Sequence, residues 1–296
     1  MRALEKRRLG RTEMYPTMLT IGCAWMGQDA RTDEQATAAV HCAIELGINF
    51  LDTSPAYGES ERRVGRALAG GWRDKIYLET KAGTHPERRG DYSAAAMRWS
   101  VENSLRQLKT DYLDSVLIHD CADIEDPLGP GRALDELCKM KQQGLIGHVG
   151  LGVRSHAFHK RAIETGQIEV VLTYLDYTLV DQSAAVGVLP VAAQHDVGVI
   201  VGSILGMGLL NGHEPNPQRP QGPRAHAMWT WCQTRGVDIR HLATQFALAV
   251  PCPTAVIMPG PSTAEHVRDV FRMADTPIDP EIWRAFTAEF GVGLDV

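Results

Sequence analysis

The 296-residue sequence has no run of 18 consecutive apolar residues, and its opening MRALEKRRLGRTEMYPT is charged without an apolar stretch. Neither a membrane-spanning helix nor a secretory signal is expected, which points to the cytoplasm. Runs of basic charge are also missing. The 30 Lys and Arg residues are scattered through a chain of net charge −6, so it lacks the electrostatic footprint of a protein that binds nucleic acid or an anionic membrane. The six cysteines, Cys23, Cys42, Cys121, Cys138, Cys232 and Cys252, show no C-x-x-C or zinc-ribbon spacing, so reduced structural thiols are expected. Only Cys121 falls beside the candidate site described below. No linker or compositional break divides the chain, and residues 1–296 are read as one domain.

What the sequence does contain is alternation. Short apolar runs bounded by turn residues predict strands over Leu19–Ala24, Ile48–Leu51, Ile76–Thr80, Ser115–Ile118, Gly147–Gly152, Val170–Thr173, Val197–Val201 and Ala255–Met258. Between them, stretches with apolar residues at i, i+3 and i+4 predict helices over Asp33–Leu46, Ser60–Ala69, Ser93–Leu108, Gly131–Gln143, Ser155–Glu164, Gln182–Gln194, Arg224–Val250 (one helix or two) and Thr263–Met273. Thr32 or Asp33, Ser60 and Ser93 are the expected N-caps, and Gly47 and Gly144 the expected stops. Strands and helices alternating eight times predict a (β/α)8 TIM barrel. A doubly wound sheet is disfavoured because no G-x-G-x-x-G follows the first strand. Outside the repeat, Arg8–Thr17 predicts an N-terminal hairpin around Gly10-Arg11, and Pro280–Glu289 an extra C-terminal helix. The proline-rich segment Asn211–Arg224 reads as a mobile irregular loop after strand seven.

In such a barrel the C-terminal strand ends converge on one mouth. Strand two runs out in Asp52, with Tyr57 in the next loop; strand three ends in Lys81 and strand four in His119. Each alone is more often a cap, a packing residue or a satisfied core histidine. Together they are complementary. A neighbouring ammonium is expected to lower the phenol toward neutral titration, an aspartate to hold that ammonium, and a histidine to donate to a substrate oxygen. The set suits proton transfer coupled to hydride transfer. It offers no nucleophile for acyl transfer and no ligand set for a metal beyond the pair His119-Asp120.

The runs GINFLDTSPAYGESERRVGRAL, ETKAG, SLRQLKTDYLDSVLIHD and GLIGHVGLGV, in this order, resemble the aldo-keto reductase superfamily over nearly the whole chain. The resemblance implies an eight-stranded barrel that binds NAD or NADP without a Rossmann domain. It implies Tyr57 as general acid/base, Asp52 and Lys81 as its tuners, and His119 orienting the substrate. It also implies a cofactor site, and there the chain departs from the common pattern. Arg154 and Ser155 stand for a Ser-Asn pair, Tyr174 for a Gln, and Gly202 for a stacking aromatic. These departures resemble the sugar (aldose and L-galactose) dehydrogenase branch. Ser203, Leu205 and Met207 are expected at the pyrophosphate and ribose. In MPGPSTAEHVRDV, the positions that carry the cations and the Asn of NADPH-specific members are Gly260, Pro261, His266 and Val270. Ser262 and Thr263 amides can receive an anion, Asp269 joins the same segment, and Arg268 lies nearby. NAD or dual use follows. Trp25 is expected to wall the pocket or stack on a sugar face.

The expected activity is NAD(P)-dependent oxidation or reduction of a sugar or small aldehyde-like substrate, with no metal, nucleic-acid or membrane partner. Two other classes stay open: a cofactor-binding regulatory barrel, and a non-redox isomerase or lyase using Lys81.

Overall fold

A computed structural model describes residues 2–294. Eight parallel strands pair in sequence order: β1 (Ile21–Gly22), β2 (Phe50–Asp52), β3 (Tyr77–Ala82), β4 (Leu113–His119), β5 (Ile146–Gly152), β6 (Val170–Tyr174), β7 (Gly198–Gly202) and β8 (Ala255–Met258). The ladder closes on itself through a parallel bridge from Leu19 to Ile257, so the sheet is a nearly closed TIM barrel. β1 is shorter than expected because the ladder there rests on Leu19 and two residues of strand only.

Helices cover the outside: α1 (Asp33–Glu45), α2 (Ser60–Ala67), α3 (Ala94–Leu108), α4 (Glu125–Leu128), α5 (Ala133–Gln142), α6 (His156–Ile163), α7 (Val188–Gln194), α8 (Gly222–Gln233), α9 (Ile239–Leu248), α10 (Ala264–Asp275) and α11 (Pro280–Phe290). Local chemistry sets several ends. Thr32 closes a capping box with Gln35, and Ser93 accepts from the Ala96 amide. Gly47 and Gly144 both take positive φ after their helices.

Three expectations need correction, and one helix had no expectation behind it. Ser60 is not a cap. Its hydroxyl is buried, 2.8 Å from that of Thr53, and donates to the Cys23 carbonyl, which ties α2 to the ends of β1 and β2. The helix expected over Gln182–Gln194 is broken at Gly187, where a Cβ would stand 2.2 Å from Nδ1 of His156. The irregular segment ends at Gln221, since Pro223 sits in the first turn of α8. It is also tethered, with Arg219 donating to the Met207 carbonyl and Trp229 to that of Gly212. Finally, α4 had no helical periodicity to announce it.

Alternation along the strands fills the barrel. Phe50, Leu117, Val170, Leu172, Ile200, Val256 and Met258 form an interior cluster, plugged from below by Leu9 and Met14 of the N-terminal hairpin. α11 packs outside, with Phe286 and Phe290 against Trp231. The same alternation carries Asp52, Lys81, His119 and Tyr174 inward at the upper rim.

Candidate active site

Parallel register sets Asp52 against Glu79 and Lys81 against Leu117, and places His119 against Gly152. Lys81 therefore projects between β2 and β4. Its ammonium donates to Oδ1 of Asp52 and, at 2.8 Å, to the Thr53 carbonyl. Both partners are buried, and the ammonium lies 4.8 Å from the centroid of the Tyr57 ring. Tyr57 itself is half-buried in the loop after β2.

His119, the last residue of β4, stands edge-on to Tyr57 with ring centroids 6.0 Å apart and an interplanar angle of 89°. Its Nδ1 is 2.7 Å from the Thr84 hydroxyl, and its carbonyl accepts from the Tyr92 hydroxyl at 2.8 Å. Nε2 is 3.5 Å from Oδ2 of Asp120. Asp120 has a φ of 44° and accepts from the Tyr174 hydroxyl at 3.1 Å. Burial, then the Lys81 and Arg89 charges, holds the His119 pKa well below the usual imidazole range. The ring is neutral, and with the Thr84 hydroxyl donating to Nδ1 the proton sits on Nε2, which faces the Asp120 carboxylate.

The electrostatics of the buried pair follow from its isolation. Burial alone would strip the charge from Lys81, but its acidic neighbours, Asp52 foremost, outweigh it and raise the ammonium above its ordinary value. Lys81 is a fixed cation. Burial raises the Asp52 carboxyl, against the opposing pull of Lys81. For Tyr57 the expectation was a phenol lowered toward neutrality. Instead burial raises it, and the Lys81 ammonium offsets only part of that rise. Tyr57 is thus a protonated phenol at neutral pH, and the ammonium limits how unfavourable its ionised form is.

The remaining candidates lie around the other side of the mouth. Arg154 is exposed and turned to Asp181, 3.7 Å away. Ser155 caps α6, accepting from the Phe158 amide. After β7, Ser203 and Met207 take left-handed conformations with φ of 53° and 47°, and Leu205 precedes a short 3-10 turn at Gly206–Gly208. At the start of α10, Thr263 accepts from the His266 amide, and the buried Ser262 hydroxyl is 3.2 Å from Nδ1 of His266. Asp269 pairs with Arg272, three residues on in that helix. Trp25, 42 % exposed, reaches over from the loop after β1, and a Cβ on Gly260 would meet its Cδ1 at 2.8 Å. Tyr57, Lys81 and His119 converge; Arg154 and Asp269 are held by ion pairs of their own.

Several residues at the site gave no sequence signal. Thr84 and Tyr92, after β3, and Glu79 on that strand matter only through contacts with residues far along the chain, and Asp120 was read merely as half of a metal pair. Thr84, Arg89, Tyr92, Asp120, Asp123 and Asp126 line a cavity of about 320 Å³ beside His119. Cys121, next to it, is pushed up to about 11 by burial and stays an inert thiol.

Similarity to known proteins places the chain in a family. The sequence profile of the aldo/keto reductase family matches residues 18–288. The chain is 32% identical over 286 residues to L-galactose dehydrogenase of Arabidopsis thaliana, covering 91% of this chain and 88% of that protein. It is 27% identical over 270 residues to D-threo-aldose 1-dehydrogenase of a Pseudomonas species, covering 80% and 82%. In structure it resembles the holo form of an aldo-keto reductase from Bacillus halodurans, with a TM-score of 0.79 at 25% identity, covering 99% of this chain and 98% of that one. With this profile match and these relatives, the chain belongs to the aldo/keto reductase family and is an NAD(P)-dependent oxidoreductase.

Proposed function

We propose that the protein transfers hydride between a nicotinamide dinucleotide and a carbonyl or hydroxyl carbon of a sugar, with Tyr57 as general acid/base. The observation that carries this reading is the buried Lys81–Asp52 pair below the Tyr57 ring, faced by a neutral His119. In reduction, Tyr57 gives its phenolic proton to the substrate oxygen; in oxidation it takes that proton back. Lys81 offsets the phenolate charge that develops, and Asp52 keeps Lys81 in place. The Nε2–H of His119 donates to the same substrate oxygen.

The residues after β7 and β8 fit a nicotinamide dinucleotide. The left-handed turns at Ser203 and Met207 rotate backbone amides in the manner of an anion nest, and the first amides of α10 beside Ser262 and Thr263 offer a second anion site. When bound, the nicotinamide supplies or accepts the hydride. Arg154, Ser155 and Tyr174 are assigned to its carboxamide end, Leu205 and Met207 to the pyrophosphate and ribose, and Gly260, His266 and Asp269 to the adenosine. NAD, or either cofactor, is favoured over strict NADPH use. Gly260 presents no cation, Trp25 fills the space beside it, and His266 is engaged with Ser262.

A sugar is favoured by the cavity beside His119. Its lining brings carboxylates from Asp120 and Asp123, a guanidinium from Arg89 and a hydroxyl from Thr84. Thr84 is engaged with His119 and Asp120 with Tyr174, while the exposed Arg89 and Asp123 offer a donor and an acceptor that sugar hydroxyls can use. The non-redox reading through Lys81 loses its support, because a Schiff-base or general-base lysine must shed its proton and this one is held charged. The test is a panel of aldoses and apolar aldehydes in both directions with NAD(H) and NADP(H). Aldose turnover above that of the aldehydes supports the reading. Cofactor binding without turnover supports the regulatory barrel, and no cofactor binding rejects the reading.

A further inference from the structure

Below the Asp52–Lys81 pair lies a buried carboxyl that the chemistry above does not use. Glu79 precedes Lys81 by two residues on β3, so both side chains point into the barrel. Register sets Glu79 against Asp52 on one side and Ser115 on the other. Glu79, Asp52, Lys81 and Ser115 are all 1% exposed or less. The Ser115 hydroxyl donates to Oε2 of Glu79 at 2.5 Å, while Oε1 receives no donor among the described residues. Register and strand alternation thus bring two buried carboxyls, Glu79 and Asp52, to the inner face of neighbouring strands, where each shifts the other's titration. The one ammonium beside them neutralises a single carboxylate, which favours a proton on the other.

We propose that Glu79 is a positioning residue of the acid/base centre: as a neutral carboxylic acid it donates to Asp52, accepts from Ser115, and leaves Asp52 the sole counter-charge of Lys81. The inference rests on the reading of Tyr57 as the group that transfers the proton. The proton resides on Glu79 because Lys81 contacts Asp52 directly. The groups facing the pair are Asp52 from β2, Lys81 from the same strand, Ser115 from β4, Tyr57 above Lys81, and the Cys23 thiol, kept protonated chiefly by burial. Burial and then the Asp52 charge push the Glu79 carboxyl up to about 8. Above that pH a second negative charge appears beside Lys81. It disfavours phenolate at Tyr57, which reduction must generate and oxidation must start from, so turnover falls in both directions.

The experiment is the pH profile of kcat for the wild type, Glu79→Gln, Glu79→Leu and Ser115→Ala, with infrared spectra of the cofactor-free proteins. Glu79→Leu, which loses the bond to Asp52, is expected to lower kcat at neutral pH by about 10- to 100-fold. Glu79→Gln keeps donor and acceptor without a titrating proton. It recovers most of that loss and moves the alkaline limb up by about one unit or more. Ser115→Ala removes a bond to the ionised form and moves the limb up by less. In the infrared, the wild type at neutral pH shows a protonated-carboxyl band that is absent from Glu79→Gln and fades as pH rises. An alkaline limb that is the same in wild type, Glu79→Gln and Ser115→Ala, or no such band, overturns the proposal. Should the Glu79 variants not fold, the wild-type band and its pH dependence decide. The infrared readout needs no substrate, so it remains decisive even if the oxidoreductase reading itself fails.

Discussion

The Thr84 hydroxyl stands 2.7 Å from Nδ1 of His119, and both side chains are buried. This contact orients the imidazole, and with it Nε2, from the loop after β3. Thr84→Val keeps the shape and removes the hydroxyl. The expected result is a fall in kcat of about 10- to 100-fold with cofactor affinity unchanged, and recovery in Thr84→Ser. Steady-state kinetics with a cofactor titration check it. A Val variant as active as wild type would remove Thr84 from the account.

A neutral His119 has a consequence for pH. Burial and the nearby cations penalise imidazolium, so the ring gains a proton only well below its ordinary range. With the sign that way round, the histidine stays a neutral donor as pH falls through about 6.5. The profile of kcat/KM is expected to carry no acid limb there. A limb near that pH that disappears in His119→Asn would mean that the working form is imidazolium.

The Lys81–Asp52 pair is expected to hold the barrel together as well as tune it. Removing one partner strands a buried charge, so Lys81→Met and Asp52→Asn should each destabilise by roughly 3–5 kcal/mol. Lys81→Met/Asp52→Asn together should cost less than the sum of the two. Urea unfolding of the four proteins measures this, and additive losses would show that the pair is not coupled.

On the proposed cofactor assignment, the choice between NAD and NADP is expected to turn on Trp25 and Gly260. Gly260→Lys alone is expected to gain little for NADPH, because its Cβ meets the indole. Paired with Trp25→Ala, it should tighten NADPH by about tenfold over NADH, as a new cation meets the 2′-phosphate. Dissociation constants from fluorescence titration decide. A wild type that already prefers NADPH a hundredfold would contradict the assignment of Gly260 and His266.

The barrel was legible because its signal repeats. Eight apolar runs, each followed by a helical period, leave few other architectures, and an error at one strand, such as β1, does not change the count. Asp52, Lys81 and His119 were legible because they are ionisable residues at the ends of apolar strands. Glu79 and Thr84 were not, because their meaning lies in which strands become neighbours and at what register. The direction of the Tyr57 shift was misjudged for a related reason. A sequence shows the ammonium that would lower it but not the depth of burial that raises it. Likewise the break at Gly187 depends on His156, a residue thirty-one positions earlier in the chain.

The central claim is that Tyr57 transfers the proton. Its most direct test is the turnover of Tyr57→Phe with an aldose, measured beside cofactor dissociation constants. The account predicts a loss of about 10²- to 10⁴-fold in kcat with cofactor affinity within about threefold of wild type. Turnover equal to wild type would contradict it.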